Sequence, residues 1–146
     1  MPVIVIVILA VFGFFGVASV IMLPALARAR EAARRASCQN NLKQIAICCK
    51  MFAAEHNKQF PESLQDLYPE YASDLEIFVC PSEVGAAVGN ENEIALWTSY
   101  QFVPGLKDTD TEAAASTVLC DEREHNHVPN GKNLLFTDGH VEFQRE

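Results

Sequence analysis

The sequence predicts an α+β fold: a long N-terminal membrane-spanning spine helix packed on a small antiparallel sheet of about three or four strands. Three observations predict it. Residues 3–23, VIVIVILAVFGFFGVASVIML, carry no charge. Residues 25–54 continue in strong helix formers without a glycine. Near the C-terminus an Asp138-Gly139 pair separates two alternating apolar runs, the strongest short-range signal for a β-hairpin.

Wound as a helix, the uncharged run matches the thickness of a bilayer's hydrocarbon core, and its backbone groups satisfy one another in lipid. A core helix is rarely apolar on every face. A cleaved signal peptide has a basic start and a shorter apolar region, whereas only Met1 and Pro2 precede this run. The expectation is therefore a retained anchor starting at Val3. Its small residues Ala10, Gly13 and Gly16 permit close approach of another helix in lipid.

Pro24 kinks this helix rather than ending it, because helix formers resume at once. Beyond it Leu42, Ile45, Cys49 and Phe52 recur at spacings of three and four, an apolar stripe that needs a sheet to cover it. Anchor and amphipathic half together make a rod about 75–80 Å long at about 1.5 Å per residue. The chain divides into a transmembrane half of the spine at 1–25, an amphipathic half at 26–56 and a soluble domain at 57–146.

In that domain a short helix follows Pro61, opened by Glu62 or Ser63, with Leu64, Leu67 and Tyr68 inward. Residues 76–81, EIFVCP, read as a strand stopped by proline. Residues 83–93 and 104–116 read as loops, and 94–103, IALWTSYQFV, as a strand. Residues 117–122 form another strand, 125–132 a loop with an Asn130-Gly131 turn, and 133–137 with 140–144 the hairpin.

The net charge of −8 is unevenly placed. Up to Phe52 the only acidic residue is Glu31, and the carboxylates crowd after it. An acidic soluble domain excludes nucleic acid as a partner, since phosphate binding needs a basic face. Arg28, Arg30, Arg34 and Arg35 lie where they can meet anionic lipid headgroups or form a solvated helix face.

Five cysteines are present. Cys38, Cys48 and Cys49 fall on the helix, and Cys48 and Cys49 point to different faces. Cys80 and Cys120 each follow an apolar pair and are placed on adjacent segments, close enough for a disulfide suited to an exported domain; the other reading is two buried free thiols. No cysteine pair has zinc-site spacing. Asp121, Glu122, His125, His127, Asp138 and His140 are dense enough to bind a divalent metal. The plainer reading makes Asp138 the turn residue, His140 a cross-strand partner and the rest solvated loop, so no metal and no cofactor is expected. Asp108, Asp110 and Glu112 alternate as calcium ligands do but lack the glycine and distal glutamate of an EF-hand. A nucleophile elbow, a P-loop and a GxGxxG are all absent, which argues against catalysis.

Two words of sequence carry a family likeness. LPALARAREAARRASCQNNLKQI, residues 23–45, after an apolar helix, and NLLFTDGHVEF, residues 133–143, stand in the order found in the type IV pilin and type II secretion pseudopilin superfamily. The chain most resembles the planctomycete-type pseudopilin-like proteins with a C-terminal DGHV hairpin, and VCPSE at 79–83 fits their pattern. The resemblance implies a structural subunit of a type II secretion or type IV pilus-like assembly. Its helix would contact membrane lipid and other pilin-like subunits, its domain would lie in the periplasm of a bacterial inner-membrane protein, and its assembly would be a filament. Some pseudopilins hold calcium in a loop of the sheet region. The arginines at 28–35 by themselves place the domain in the cytoplasm under the positive-inside rule. Where the superfamily has a glutamate that pairs with a neighbouring subunit, this chain has Val7, and it shows no basic leader. Val7 favours the alternative, a monomeric anchored module that binds a ligand at the membrane surface.

Overall fold

The computed structural model describes residues 2–83, 85–108, 117–122, 127 and 131–145, without the side chains of 2, 5–11, 14–18 and 21. The chain forms two compact units, Met1–Ala33 and Arg34–Glu146. One helix, α1, runs from Pro2 to Glu55 with Pro24 inside it. Pro24 has no N–H to donate to the preceding turn, so the helix forgoes one bond there.

In the first unit Val3, Ile4, Phe12, Val20, Met22 and Leu23 are all exposed, each about two-thirds or more. Among the described residues no helix is long and apolar enough to cross a membrane, where the sequence predicts a span over 3–23. Most side chains of that run, including Val7, Ala10 and Gly16, lie outside the described set.

In the second unit α1 has two faces. Leu42, Ile45 and Cys49 are fully buried, with Cys38, Ala46, Cys48 and Ala53 beside them, while Phe52 is half-buried. Ile47 and Met51 are exposed on the other side. The helix ends without a glycine. Asn57 and Lys58 take positive φ, and Lys58 N–H donates to Ala53 O (2.8 Å) in a left-handed termination. His56 stacks on Phe52 at 3.9 Å between centroids.

The loop after α1 is pinned by Phe60 N–H to Leu106 O and Asp108 N–H to Lys58 O. A one-turn 3-10 helix, Leu64–Leu67, follows Ser63, whose N–H donates to the Asp66 carboxylate (2.8 Å); Leu64 and Leu67 point inward. Residues 76–81, expected as a strand, begin instead in a second 3-10 turn, Leu75–Phe78. The reason is local. Asp74 accepts the Glu76 N–H, and Ile77 and Phe78, adjacent in sequence, are both buried, which alternation along a strand does not allow. The expected strand over 94–103 is only in part a strand and begins as helix. Asn90 caps a turn at Glu91–Glu93, helix α2 spans Ile94–Trp97, and only Tyr100–Phe102 is strand β1. Ile94 is buried and Leu96 exposed, so one turn of helix suffices to seat Ile94.

Strands β2 (Val118–Glu122), β3 (Gly131–Phe136) and β4 (Val141–Arg145) complete an antiparallel meander of order β1-β2-β3-β4. Tyr100 pairs with Glu122 and Phe102 with Cys120; a bulge between Val118 and Cys120 shifts β2 against β3. Thus the α+β class and the antiparallel sheet of about three or four strands are present, with four strands. At the hairpin Gly139 has φ of 96°, and Asp138 Oδ1 accepts the His140 N–H (3.0 Å) and meets its ring Nδ1 (2.6 Å). Burial pushes the Asp138 carboxyl up, but these hydrogen bonds, the His140 charge and Lys50 outweigh it and leave the group below the ordinary range. The core is the α1 stripe with Phe60, Leu67, Phe78, Ile94, Tyr100, Leu119, Cys120 and Leu135.

Two outcomes follow for the full chain in detergent, with urea unfolding read by the single tryptophan, Trp97. Ile45→Asp loses its packing and buries a carboxylate without a partner, so stability falls by at least about 4 kcal/mol. Gly139→Ala forces a side chain into a left-handed position where Lys50 already stands 3.3 Å from the new methyl, at about 1–2 kcal/mol. An Ile45→Asp protein that unfolds at the parental midpoint would overturn the packing of α1 on the sheet.

Candidate functional site

Alternation along β2 sends Asp121 outward and Glu122 inward. Asp121 pairs with Lys132 Nζ at 2.8 Å on the half-exposed face. Glu122 has no exposed surface and ends up under the sheet beside α1. Around it gather Cys38 from α1, Cys80 from the segment after the second 3-10 turn, His127 from the bridge that pairs with Gly131, and Asn133 from β3. All five are buried.

The hydrogen bonds converge on the Glu122 carboxylate. Asn133 donates twice, its backbone N–H to Oε2 (2.9 Å) and its side-chain Nδ2 to Oε1 (2.7 Å). His127 Nε2 lies 3.0 Å from Oε2 and 3.1 Å from Oε1. Gln39 Nε2, one residue after Cys38 on α1, donates to Asn133 Oδ1 (2.9 Å) and so fixes the amide's orientation. A buried carboxylate is tolerated only when its lone pairs are met in this way. Phe143 covers the group from outside. Its ring lies edge-on to His127 (6.2 Å), the Arg35 guanidinium sits over it (4.1 Å), and Gly131 leaves the space that its ring fills.

Next to this pair is a disulfide. It joins Cys38 to Cys80, with Cα atoms 5.1 Å apart and a sequence separation of 42. The expected partner of Cys80, Cys120, is instead a buried free thiol on β2. The physical reason is the direction of the α1 stripe. Cys38 lies one turn before Leu42 on the buried face, and Asn41 Nδ2 holds Val79 O at 2.9 Å, which brings Cys80 to the helix. Burial first, then Cys49, Asp121 and Glu122, raise the Cys120 thiol well above its ordinary value. Burial likewise raises Cys48 and Cys49. Burial thus disfavours the thiolate form at all three.

The other residues singled out in the sequence are not gathered here. Asp138 and His140 belong to the hairpin turn, where His140 stacks on Phe136 (4.2 Å), at the far end of β3 from Asn133. Asp108 faces Lys50 at 3.6 Å, while Asp110, Glu112 and His125 lie outside the described residues. The reading of Glu122 and His127 as solvated loop is corrected: both are in the interior. Sequence reasoning missed Cys38 and Asn133 as partners. The spacing of Cys38 four before Leu42 was a usable signal; for Asn133 there was none, since its role depends on the β2–β3 register.

A family model described as a protein of unknown function (DUF1559) matches residues 27–67, under half of the chain. That segment holds Cys38 and Gln39 but not Cys80, Glu122, His127 or Asn133. No curated protein and no solved structure matches the chain.

Removing the disulfide by Cys38→Ser with Cys80→Ser frees a loop of 42 residues and is expected to cost about 4 kcal/mol by chain entropy. Asn133→Ala takes a donor from the buried carboxylate and is expected to cost about 2–3 kcal/mol. Urea midpoints of the two variants test both; an unchanged midpoint for Asn133→Ala would show that Glu122 does not depend on that amide.

Proposed function

We propose that the chain is a structural pilin-like subunit of a type II secretion or type IV pilus-like assembly, acting through its N-terminal helix and without a catalytic role. The observation that carries the reading is the continuity of α1. One helix, Pro2–Glu55, begins with an uncharged run and ends as a spine whose apolar stripe is covered by an antiparallel sheet. The match of residues 27–67 to a family typical of planctomycete pilin-like proteins supports it. So do the described apolar side chains of the first unit, Phe12 and Val20 among them, which have no cover within the chain.

On this reading residues 1–25 sit in the inner membrane in contact with lipid and with copies of this or related subunits, and the acidic domain lies on the periplasmic side. The buried Cys38–Cys80 bond supports that side, since disulfides persist in oxidising compartments. The second reading, a monomeric anchored module that binds a ligand at the surface, is favoured by one residue: Val7 stands where the superfamily has its inter-subunit glutamate.

The test has two arms. A reporter active only in the cytoplasm, fused after Glu146, is expected to be silent; full activity would overturn the orientation and favour the positive-inside reading of Arg28, Arg30, Arg34 and Arg35. Electron micrographs of the protein sheared from cells are expected to contain filaments, whereas single particles alone would select the monomeric module.

A further inference from the structure

The geometry points to a second state of the buried cluster: with the Cys38–Cys80 bond reduced, the two thiolates, the Glu122 carboxylate and the His127 imidazole form a four-ligand site for zinc(II) or a cation of like softness. The inference stands apart from assembly and does not depend on whether the chain forms filaments.

Four donor atoms, one from each residue, lie within 4.8 Å of one another, and all four residues are buried. Tetrahedral zinc with bonds of about 2.0–2.3 Å places its ligand atoms about 3.3–3.8 Å apart. Three of the present separations are near that range. Cys80 Sγ is 3.9 Å from both Glu122 Oε1 and His127 Nε2, and His127 Nε2 is 3.0–3.1 Å from the carboxylate. The largest change needed is between the sulfurs, which open from a covalent bond to a tetrahedral edge. The donor set, two sulfurs with one nitrogen and one oxygen, suits zinc rather than magnesium or calcium.

The supports of a metal site are also in place. Asn133 holds each Glu122 oxygen by one hydrogen bond, leaving further lone pairs, and Gln39 holds Asn133. The Phe143 ring with Arg35 over it closes the outer side. The ligands come from α1, the segment after the second 3-10 turn, the end of β2 and the bridge at His127. The metal would therefore join the two elements that the disulfide joins, and the sheet with them, where the disulfide cannot form. A chain exported to an oxidising compartment is made in a reducing one.

The chemistry balances. Two equivalents of a thiol, or one of a phosphine with water, give two electrons and two protons to the sulfur–sulfur bond and yield two thiols. Each thiol releases one proton as it binds the cation. With two thiolates, one carboxylate and a neutral imidazole, the zinc-loaded centre carries one net negative charge.

Cobalt(II) serves as the probe. The full chain in detergent is reduced anaerobically with a water-soluble phosphine, which competes weakly for metal, and titrated with cobalt. One equivalent is expected to produce the visible bands of tetrahedral cobalt and a near-ultraviolet sulfur-to-cobalt band, both abolished by one equivalent of zinc. The disulfide form is expected to give no sulfur-to-cobalt band. His127→Gln and Glu122→Gln should weaken binding at least as much as loss of an outer-shell partner does, about 10–100-fold. Each variant is first checked for parental helix content in its disulfide form, so that failure to fold is seen separately. Cys120→Ala, outside the cluster, should leave the bands unchanged. If reduction alone unfolds the parent, zinc is expected to restore its helix content. The proposal is overturned if the reduced parent takes up no cobalt, if zinc does not refold it, or if the bands survive loss of His127 and Glu122 but vanish with Cys120.

Discussion

The second unit, Arg34–Glu146, depends on one demand, that the buried stripe of α1 from Cys38 to Ala53 be covered. A helix of this composition holds its own backbone bonds, but the free energy that fixes it in a fold comes from burying that stripe. Four short strands and two 3-10 turns are arranged to do so. Leu119, Cys120 and Leu135 come from the sheet, and Phe60, Leu67 and Phe78 from the connecting segments. The connecting segments are packed cover rather than loose loops, which is why hydrogen bonds such as Cys48 Sγ to Tyr71 O (3.1 Å) and Asn41 to Val79 O run from α1 to them.

The polar cluster lies where that seam begins. Its position puts a charged, hydrogen-bonded group beneath a sheet only four strands wide, a costly place unless the geometry is fully determined. It is determined from several directions: Gln39 from the helix, Asn133 from the central strand, His127 from the bridge and the Cys38–Cys80 bond from the side. Such an arrangement is specific rather than merely strong. A slip of one residue in the β2–β3 register would turn Glu122 outward and leave its partners unmet. The cluster thereby ties the sheet's register to the helix's rotation, so that the spine presents one defined outer face, with Ile47 and Met51 on it.

The sequence by itself determined what local chemistry determines. The extent of α1, the Asp138-Gly139 hairpin with its positive-φ glycine, the Ser63 turn with Leu64 and Leu67 inward, and the strand ending at Glu122 all rest on periodicity, capping or φ preference within a few residues. The same local rules misplaced 76–81 and the first part of 94–103, because Asp74 caps a single turn at Leu75–Phe78 and Ile94–Trp97 forms one turn of helix before the strand at Tyr100. What only the tertiary structure decided is which distant residues meet. Cys80 reads as bonded to Cys120 or as a free thiol and is bonded to a helix cysteine instead; Glu122 and His127 read as solvent-facing and are a buried polar pair. Those outcomes depend on the rotation of α1 against the sheet and on a bulge between Val118 and Cys120. Both are set by packing between segments far apart in the chain, which no short stretch of sequence encodes.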